Sequence, residues 1–413
     1  MLRRKETIFG SATETRREEE SMQTKQTKSF NRSSTSKLTS LRTFSMLGVW
    51  LGLLFAATNA VAEKLDDSND NFAIAAYLPD YRAIGYLEQQ LQLKSQGVSR
   101  PPILSDLILF SLQPHSKGFL GGCCLQQEHY SLTQKFREQI YTDSGTPLTL
   151  WVTVGGSGRS DAFPQICRDE KLRKRVIQSV INLCNKHSIQ GVDLDYTPRS
   201  VTDRDQYVVF LQEAIQQWHD AGLKVSMTII FHPGMPLLTQ IYNQVDRLHL
   251  MAYDMFSRDA STNDPYHASL AKTKEMLEAL LQPGRIAEQT RGKVLLGIPA
   301  YARHLEKPGL VKTFGEIYDI ILQENDADER SVDWYNMSAW NSFEWESGQR
   351  IRDKVHLATT FGLGGVFFWE IGQDKVSELF PGGVLLEAAA AAAAVNHETA
   401  AGDGASNGNG GEL

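Results

Sequence analysis

Residues 190–198 read Gln-Gly-Val-Asp-Leu-Asp-Tyr-Thr-Pro, so Asp193, Asp195 and Thr197 alternate with apolar or aromatic neighbours. On an extended strand alternate side chains share a face, which aims two carboxyl groups and one hydroxyl the same way. Two carboxylates held that close repel, so one of them must be kept protonated or well hydrogen-bonded. The chemistry available to such a face is proton handling and polar recognition. An aspartate pair that merely caps a strand end would be written in the same letters.

The elements that must position this face are legible around it. Apolar strand-like runs occur at Phe72–Leu78, Leu107–Leu112, Leu148–Val154, Gly191–Tyr196, Lys224–Phe231, Arg247–Ala252, Val294–Ile298 and Gly365–Trp369. Between them lie amphipathic helical segments. Residues 170–187 carry Val176, Ile177, Val180, Ile181 and Cys184 at helical spacing, and residues 204–221 carry Val208, Leu211, Ala214, Ile215 and Trp218 before a stop at Gly222. Alternation of this kind predicts parallel βα units, and eight of them predict a closed α/β barrel, a single (βα)8 TIM barrel. In such a barrel the strand face bearing Asp193 points inward, and active sites form at the C-terminal ends of the strands.

Further motifs follow in order along the chain. They are Thr153-Val154-Gly155-Gly156, Met251-Ala252-Tyr253-Asp254, the segment Leu296 to Arg303 containing Tyr301, and Gly364 to Glu370 containing Trp369. Together with Gly191, Asp193 and Asp195 they resemble glycoside hydrolase family 18, whose strand-four signature is Asp-Gly-x-Asp-x-Asp-x-Glu. The resemblance covers most of residues 72–380. It departs from the signature at Gln190, where an aspartate belongs, and at Thr197, where the catalytic glutamate belongs.

The resemblance implies a TIM barrel that handles polymers of β-1,4-linked N-acetylglucosamine by a substrate-assisted route, an exception to the usual two-carboxylate scheme. In that route a glutamate protonates the leaving oxygen, while an aspartate and a tyrosine orient the substrate acetamide. By position, Asp193, Asp195 and Tyr253 keep catalytic roles. Asp254, Met251, Tyr301, Arg303, Trp369, Glu370, Gly155 and Gly156 are implied in substrate binding. A threonine hydroxyl is a far poorer proton donor than a tuned carboxylic acid, so hydrolysis is expected to be lost or severely weakened while glycan binding persists. Two other readings stand beside this one. One is an active chitinase or endo-N-acetylglucosaminidase with a relocated acid, for which Glu370 and Asp254 are the candidates. The other is an inhibitor or scaffold that binds a protein through its barrel loops.

Composition narrows the field. A hydrophobic content of 41% suits a globular chain, and a net charge of -7 argues against nucleic-acid binding, which needs a basic face. The ten histidines include no ligand-spaced set, and Gly155-Gly156-Ser157-Gly158 is better explained by the family motif than by a phosphate loop, so neither metal nor cofactor is expected. Oligomeric state is not legible.

Residues 1–62 read as a signal or targeting segment: a basic, Ser/Thr-rich stretch, an apolar run from Phe44 to Ala57, and small residues to Ala62. The run is short for a membrane span, so cleavage and secretion, or delivery to the endomembrane lumen, is the expectation over an uncleaved anchor, with no membrane contact afterwards. Residues 63–386 are then the barrel. Residues 387–413 read as a low-complexity, disordered tail, in which the alanines have the letters of a helix and the remainder has nothing to bury. The connection between the last two strands reads as too short for a large insertion domain, and its Trp334, Tyr335, Trp340 and Trp345 fit a sugar platform and simple packing equally well. Four cysteines, among them the adjacent Cys123 and Cys124, are compatible with outward disulfides or with buried thiols. Asn336-Met337-Ser338 is a glycosylation acceptor.

Overall fold

The structure, a computed structural model, describes residues 72–99, 101–121, 124–231, 238–256 and 265–405, the side chains only as far as 395. The expected signal segment lies outside the described residues.

Strand β1 (Ala73–Pro79) is buried along its whole length and ends on Pro79, whose extended backbone opens helix α1 (Asp80–Ser95). The chain continues through β2 (Asp106–Leu112), α2 (Gln127–Phe136), β3 (Thr149–Gly155), α3 (Phe163–Arg168) and α4 (Glu170–His187). Asp169 caps α4 by accepting from Lys171 N and Leu172 N, and Ser188 closes it in the left-handed conformation. Then come β4 (Gly191–Asp195), α5 (Val201–Asp220), β5 (Lys224–Ile229), α6 (Thr239–Tyr242), β6 (Arg247–Leu250), α7 (Leu270–Leu280) and β7 (Val294–Pro299). A side structure follows, made of β8 (Tyr301–His304), β9 (Val311–Thr313), α8 (Phe314–Asn325), β10 (Ala339–Trp340) and β11 (Phe343–Glu344). Helix α9 (Gly348–Thr360), strand β12 (Gly365–Trp369) and helix α10 (Val384–Ala405) complete the chain.

Strands β1 to β7 and β12 close into one parallel barrel, with β12 seated between β1 and β7. The predicted (βα)8 barrel is therefore present, and each expected strand lies within a few residues of an observed one. Two hydrophobic layers separate by strand alternation. Ala73, Ala75 and Tyr77 join Phe110, Trp151, Leu295 and Phe367 inside the barrel, whereas Ile74, Ala76 and Leu78 join the shell between strands and helices.

The connection after β7 is richer than the sequence suggested. Strands β8 to β11 form a small four-stranded antiparallel sheet in the order β10-β11-β8-β9. Two of the tryptophans in this connection are packing residues: Trp345 is fully buried, and Trp334 stacks on Tyr318 at 3.7 Å between ring centroids. Strands this short escape a pattern of period two, which needs several repeats to be seen.

The low-complexity assignment at residue 387 also shifts. The alanine run continues helix α10, packs against α9 and buries Ala389, Ala392 and Ala393. Alanine has the highest helix propensity, and its small side chain permits close helix contact. Asp374 anchors the start of this helix by accepting from Leu385 N and Leu386 N. Cys167 and Cys184 are buried free thiols, whereas Cys124 is in a disulfide whose partner lies outside the described residues. Among the described residues no helix is long and apolar enough to cross a membrane.

Candidate functional site

Sheet register builds the centre of the site. Asp193 on β4 is paired with Thr153 on β3 and with Ser226 on β5, so three inward polar residues share one layer of the barrel. Ser226 Oγ donates to Asp193 Oδ1 at 2.7 Å. Thr153 Oγ1 and the Tyr77 hydroxyl donate to Oδ2 at 2.8 and 3.0 Å. The Nδ1 of His249 on β6 lies 3.4 Å from Oδ1. Burial alone would raise the Asp193 pKa. The hydrogen bond and charge of His249 and the two hydroxyls outweigh it, so this fully buried carboxyl is held below its ordinary value. One layer below, the ring of Trp151 occupies the space that a Cβ at position 191 would need, which is why the strand opens with glycine.

Asp195, one layer nearer the mouth, is differently placed. Its backbone oxygen accepts from Gly156 N at 2.7 Å and from Ser160 Oγ at 3.1 Å, which ties β4 to the turn after β3. Gly155 and Gly156 both have φ near +100°, and a Cβ on Gly156 would be driven into the Phe110 ring. Their absent side chains leave room for the Asp195 carboxyl. Burial, and then the neighbouring Asp193 charge, push that carboxyl up to about 7. Beyond it Tyr196 turns outward to stack on Phe163, and Thr197 is exposed.

Aromatic side chains floor the mouth. Trp369 at the end of β12 is half-buried, edge-on to Phe110 at 4.8 Å and tilted against Tyr77 at 5.4 Å. Tyr253 packs against Phe367 and Tyr301, with partly buried Met251 against the same cluster. Burial, followed by the charges of Asp254, Asp195 and Asp193, holds the Tyr253 hydroxyl well above its ordinary pKa, so it is a proton donor at neutral pH.

Asp254 is tied down. Its Oδ1 accepts from the Tyr301 hydroxyl at 2.6 Å and from Arg303 Nε at 2.8 Å, with His267 Nδ1 at 3.2 Å. Burial works against ionisation there, but His267 and Arg303 dominate and hold the carboxyl well below the usual range. Glu370 does not share the mouth. It is fully buried, paired with Arg82 Nε at 2.6 Å, and its Oε2 accepts from Gly372 N. Trp369 packs on Tyr77 and Phe110 inside the barrel, whereas Glu370 lies past the end of β12 and is held by Arg82 of α1. The expectation that Glu370 touches a ligand is corrected accordingly.

The structure thus brings together Asp193, Asp195, Tyr253, Trp369 and the two glycines, with the Asp254, Tyr301 and Arg303 group beside Tyr253. Sequence reasoning missed Tyr77, Ser226, Thr228 and His249 as members of the polar centre. The signal available was that each is a polar or hydroxyl-bearing residue on the inward phase of a predicted strand.

Comparison with known proteins agrees with this architecture. The profile of Glycosyl hydrolases family 18 matches residues 121–374, more than half of the chain. The class V chitinase CHIT5 of Lotus japonicus is 25% identical over 277 residues, which span 55% of this chain and 68% of that protein. The chitinase-like mite allergen Der p 18.0101 of Dermatophagoides pteronyssinus is 24% identical over 263 residues, 54% of this chain and 55% of the allergen. Among solved structures, a family 18 chitinase from Cycas revoluta in complex with allosamidin superimposes with a TM-score of 0.58 at 19% identity, covering 78% of this chain and 99% of that one. A chitinase from Bacteroides thetaiotaomicron gives 0.60 at 15% identity, covering 78% and 96%. On its barrel, its ordered motifs and the profile match, this chain belongs to glycosyl hydrolase family 18.

Proposed function

We propose that the chain is a secreted, chitinase-like protein that binds N-acetylglucosamine-containing glycans at the barrel mouth and whose hydrolase activity is lost or severely weakened. The observation that carries this reading is that, among the described residues, none of the three positions considered for the family acid offers a free carboxyl. Thr197 stands exposed at the position that the family motif gives to the catalytic glutamate, Asp254 is neutralised by Arg303, and Glu370 is buried against Arg82. General acid catalysis typically contributes about 10²–10⁴-fold, and these three side chains supply none of it.

Binding is supported by what remains. Trp369 offers a half-buried indole face to a sugar ring, Tyr253 a hydroxyl donor, and Asp195 a carboxyl suited to an acetamide. The Cycas revoluta chitinase, similar in fold, was crystallised with (GlcNAc)3. Secretion rests on the signal-like residues 1–62, and amino-terminal sequencing of the mature protein tests it.

The decisive experiment is calorimetric titration with N-acetylglucosamine oligomers beside a cleavage assay, comparing wild type with Thr197→Glu. Binding without cleavage in the wild type, with cleavage gained in the variant, is the expected result. Cleavage by the wild type would overturn the reading. The search for the acid would then turn to Asp195, which carries a proton near neutrality.

A further inference from the structure

Asp193 sits in a cage built by four other strands. Thr153 comes from β3, Ser226 from β5, Tyr77 from β1 and His249 from β6. The last two are themselves linked: His249 Nδ1 lies 2.6 Å from the Tyr77 oxygen, and Thr228 Oγ1 lies 3.2 Å from the same oxygen.

Proton counting makes this link directional. A tyrosine hydroxyl owns one proton, and an ionised carboxylate can only accept. If Tyr77 donates to Asp193, its oxygen must accept from His249, which requires a proton on Nδ1. If Nδ1 is bare, Tyr77 turns its proton to the imidazole and Asp193 loses a donor. The imidazole has little freedom to escape this choice. It is 1% exposed, edge-on to Tyr77 at 5.5 Å and tilted against Phe367 at 5.2 Å.

We propose that His249 is a positioning residue: a proton on its Nδ1 commits the Tyr77 hydroxyl to Asp193, keeps the charge of the aspartate pair on Asp193, and leaves the pair's proton on Asp195 at the mouth. Its consequence rests on the glycan-binding reading, since a protonated Asp195 offers an acetamide a donor and an ionised one offers only acceptors. The titratable and charged groups facing this centre are Tyr77 from β1, Asp193 and Asp195 from β4, and Tyr253 after β6, with the Asp254 and Arg303 ion pair beyond it. Thr153, Ser226, Thr228 and Phe367 add no charge. The upward displacement of Asp195 to about 7, driven by burial and then by the Asp193 charge, accords with this division.

Carboxyl-carbon NMR of aspartate-labelled, ligand-free full-length protein, followed from about pH 4 to about pH 9, tests the proposal. In the wild type two signals titrate near neutrality, those of Asp195 and of Asp374 at the start of α10, and only the first disappears in Asp195→Asn. In His249→Phe the Asp195 titration moves up by roughly half a unit or more and spreads over two carboxyl signals, because the less stabilised Asp193 now shares the proton. Tyr77→Phe, which removes only the hydroxyl, shows the same change, and His249→Asn, whose amide still donates to Tyr77, restores the wild-type behaviour. An unchanged Asp195 titration in folded Tyr77→Phe or His249→Phe would overturn the proposal. A second titration with (GlcNAc)4 over the same pH range separates the two readings. A shifted carboxyl signal without glycan binding supports the role of His249 and counts against the proposed function alone.

Discussion

Two positions on one run of chain, two alternations apart, are built on opposite terms. Around Asp193 four side chains converge within 3.4 Å, and the carboxylate is fully buried. Around Thr197 the chain has left the barrel and the side chain is exposed. Asp195 lies between, tied through its backbone while its carboxyl faces the mouth. The contrast teaches that a residue can change at the rim without touching the lower layer, because the cage is held by strand register and the rim is not.

The largest test of that contrast is at the rim. Thr197→Glu should raise oligomer cleavage by about 10²–10⁴-fold, read as reducing-end release, because an exposed position accepts the side chain without repacking. No gain would mean that the lower layer has also drifted from a catalytic geometry.

In the lower layer, Asp193→Ala should destabilise the fold by about 2–4 kcal/mol, since Ser226, Thr153 and Tyr77 would keep buried donors with no acceptor. Denaturant titration reads the loss, and a change below about 0.5 kcal/mol would show that the cage relaxes or admits water. At the aromatic floor, Trp369→Ala should weaken binding of N-acetylglucosamine oligomers by about tenfold or more with little change in rim chemistry.

The pH dependence tests the layer between. Asp195 has its folded pKa raised to about 7, above the ordinary carboxylate value it regains on unfolding. A raised carboxyl contributes stability that is fully present below the unfolded value and is lost as pH rises through about 7. Asp195→Asn, a neutral mimic of the protonated form, should therefore match wild type in acid and become the more stable of the two as pH rises to neutrality. Parallel stability curves would place Asp195 in solvent-like surroundings. The smallest effect is expected for Thr197→Ala, within about 0.5 kcal/mol of wild type and with unchanged glycan affinity, because the residue is exposed.

Much of this molecule is written in local pattern. The eight βα units were legible because strand and helix periodicities repeat over many residues, and the shared face of Asp193, Asp195 and Thr197 follows from alternation within one strand. The glycines at 155, 156 and 191 appear in the motif, but the reason for them does not: the Asp195 backbone oxygen, the Phe110 ring and the Trp151 ring respectively, each distant in sequence, fill the space their side chains would need. Other features resisted for the same reason. Glu370 and Trp369 are neighbours in sequence, yet they point to opposite sides of the barrel wall, and only the position of Arg82 shows where the glutamate goes. Trp334 and Trp345 became core once helix α8 gave them Phe314, and Trp334 also Tyr318, to pack on.

The sequence by itself determined the fold class, the family, and the absence of a carboxyl at position 197, since each depends on residue identity and short-range spacing. The tertiary structure alone decided what each carboxyl can do. Asp193, Asp195 and Asp254 are the same residue type in similar motifs. One is caged by hydroxyls and an imidazole, one is pushed toward neutrality by burial and then by its neighbour's charge, and one is locked to an arginine. The charge a carboxyl carries depends on the burial and partners that distant strands bring to it, and strand register sets those partners.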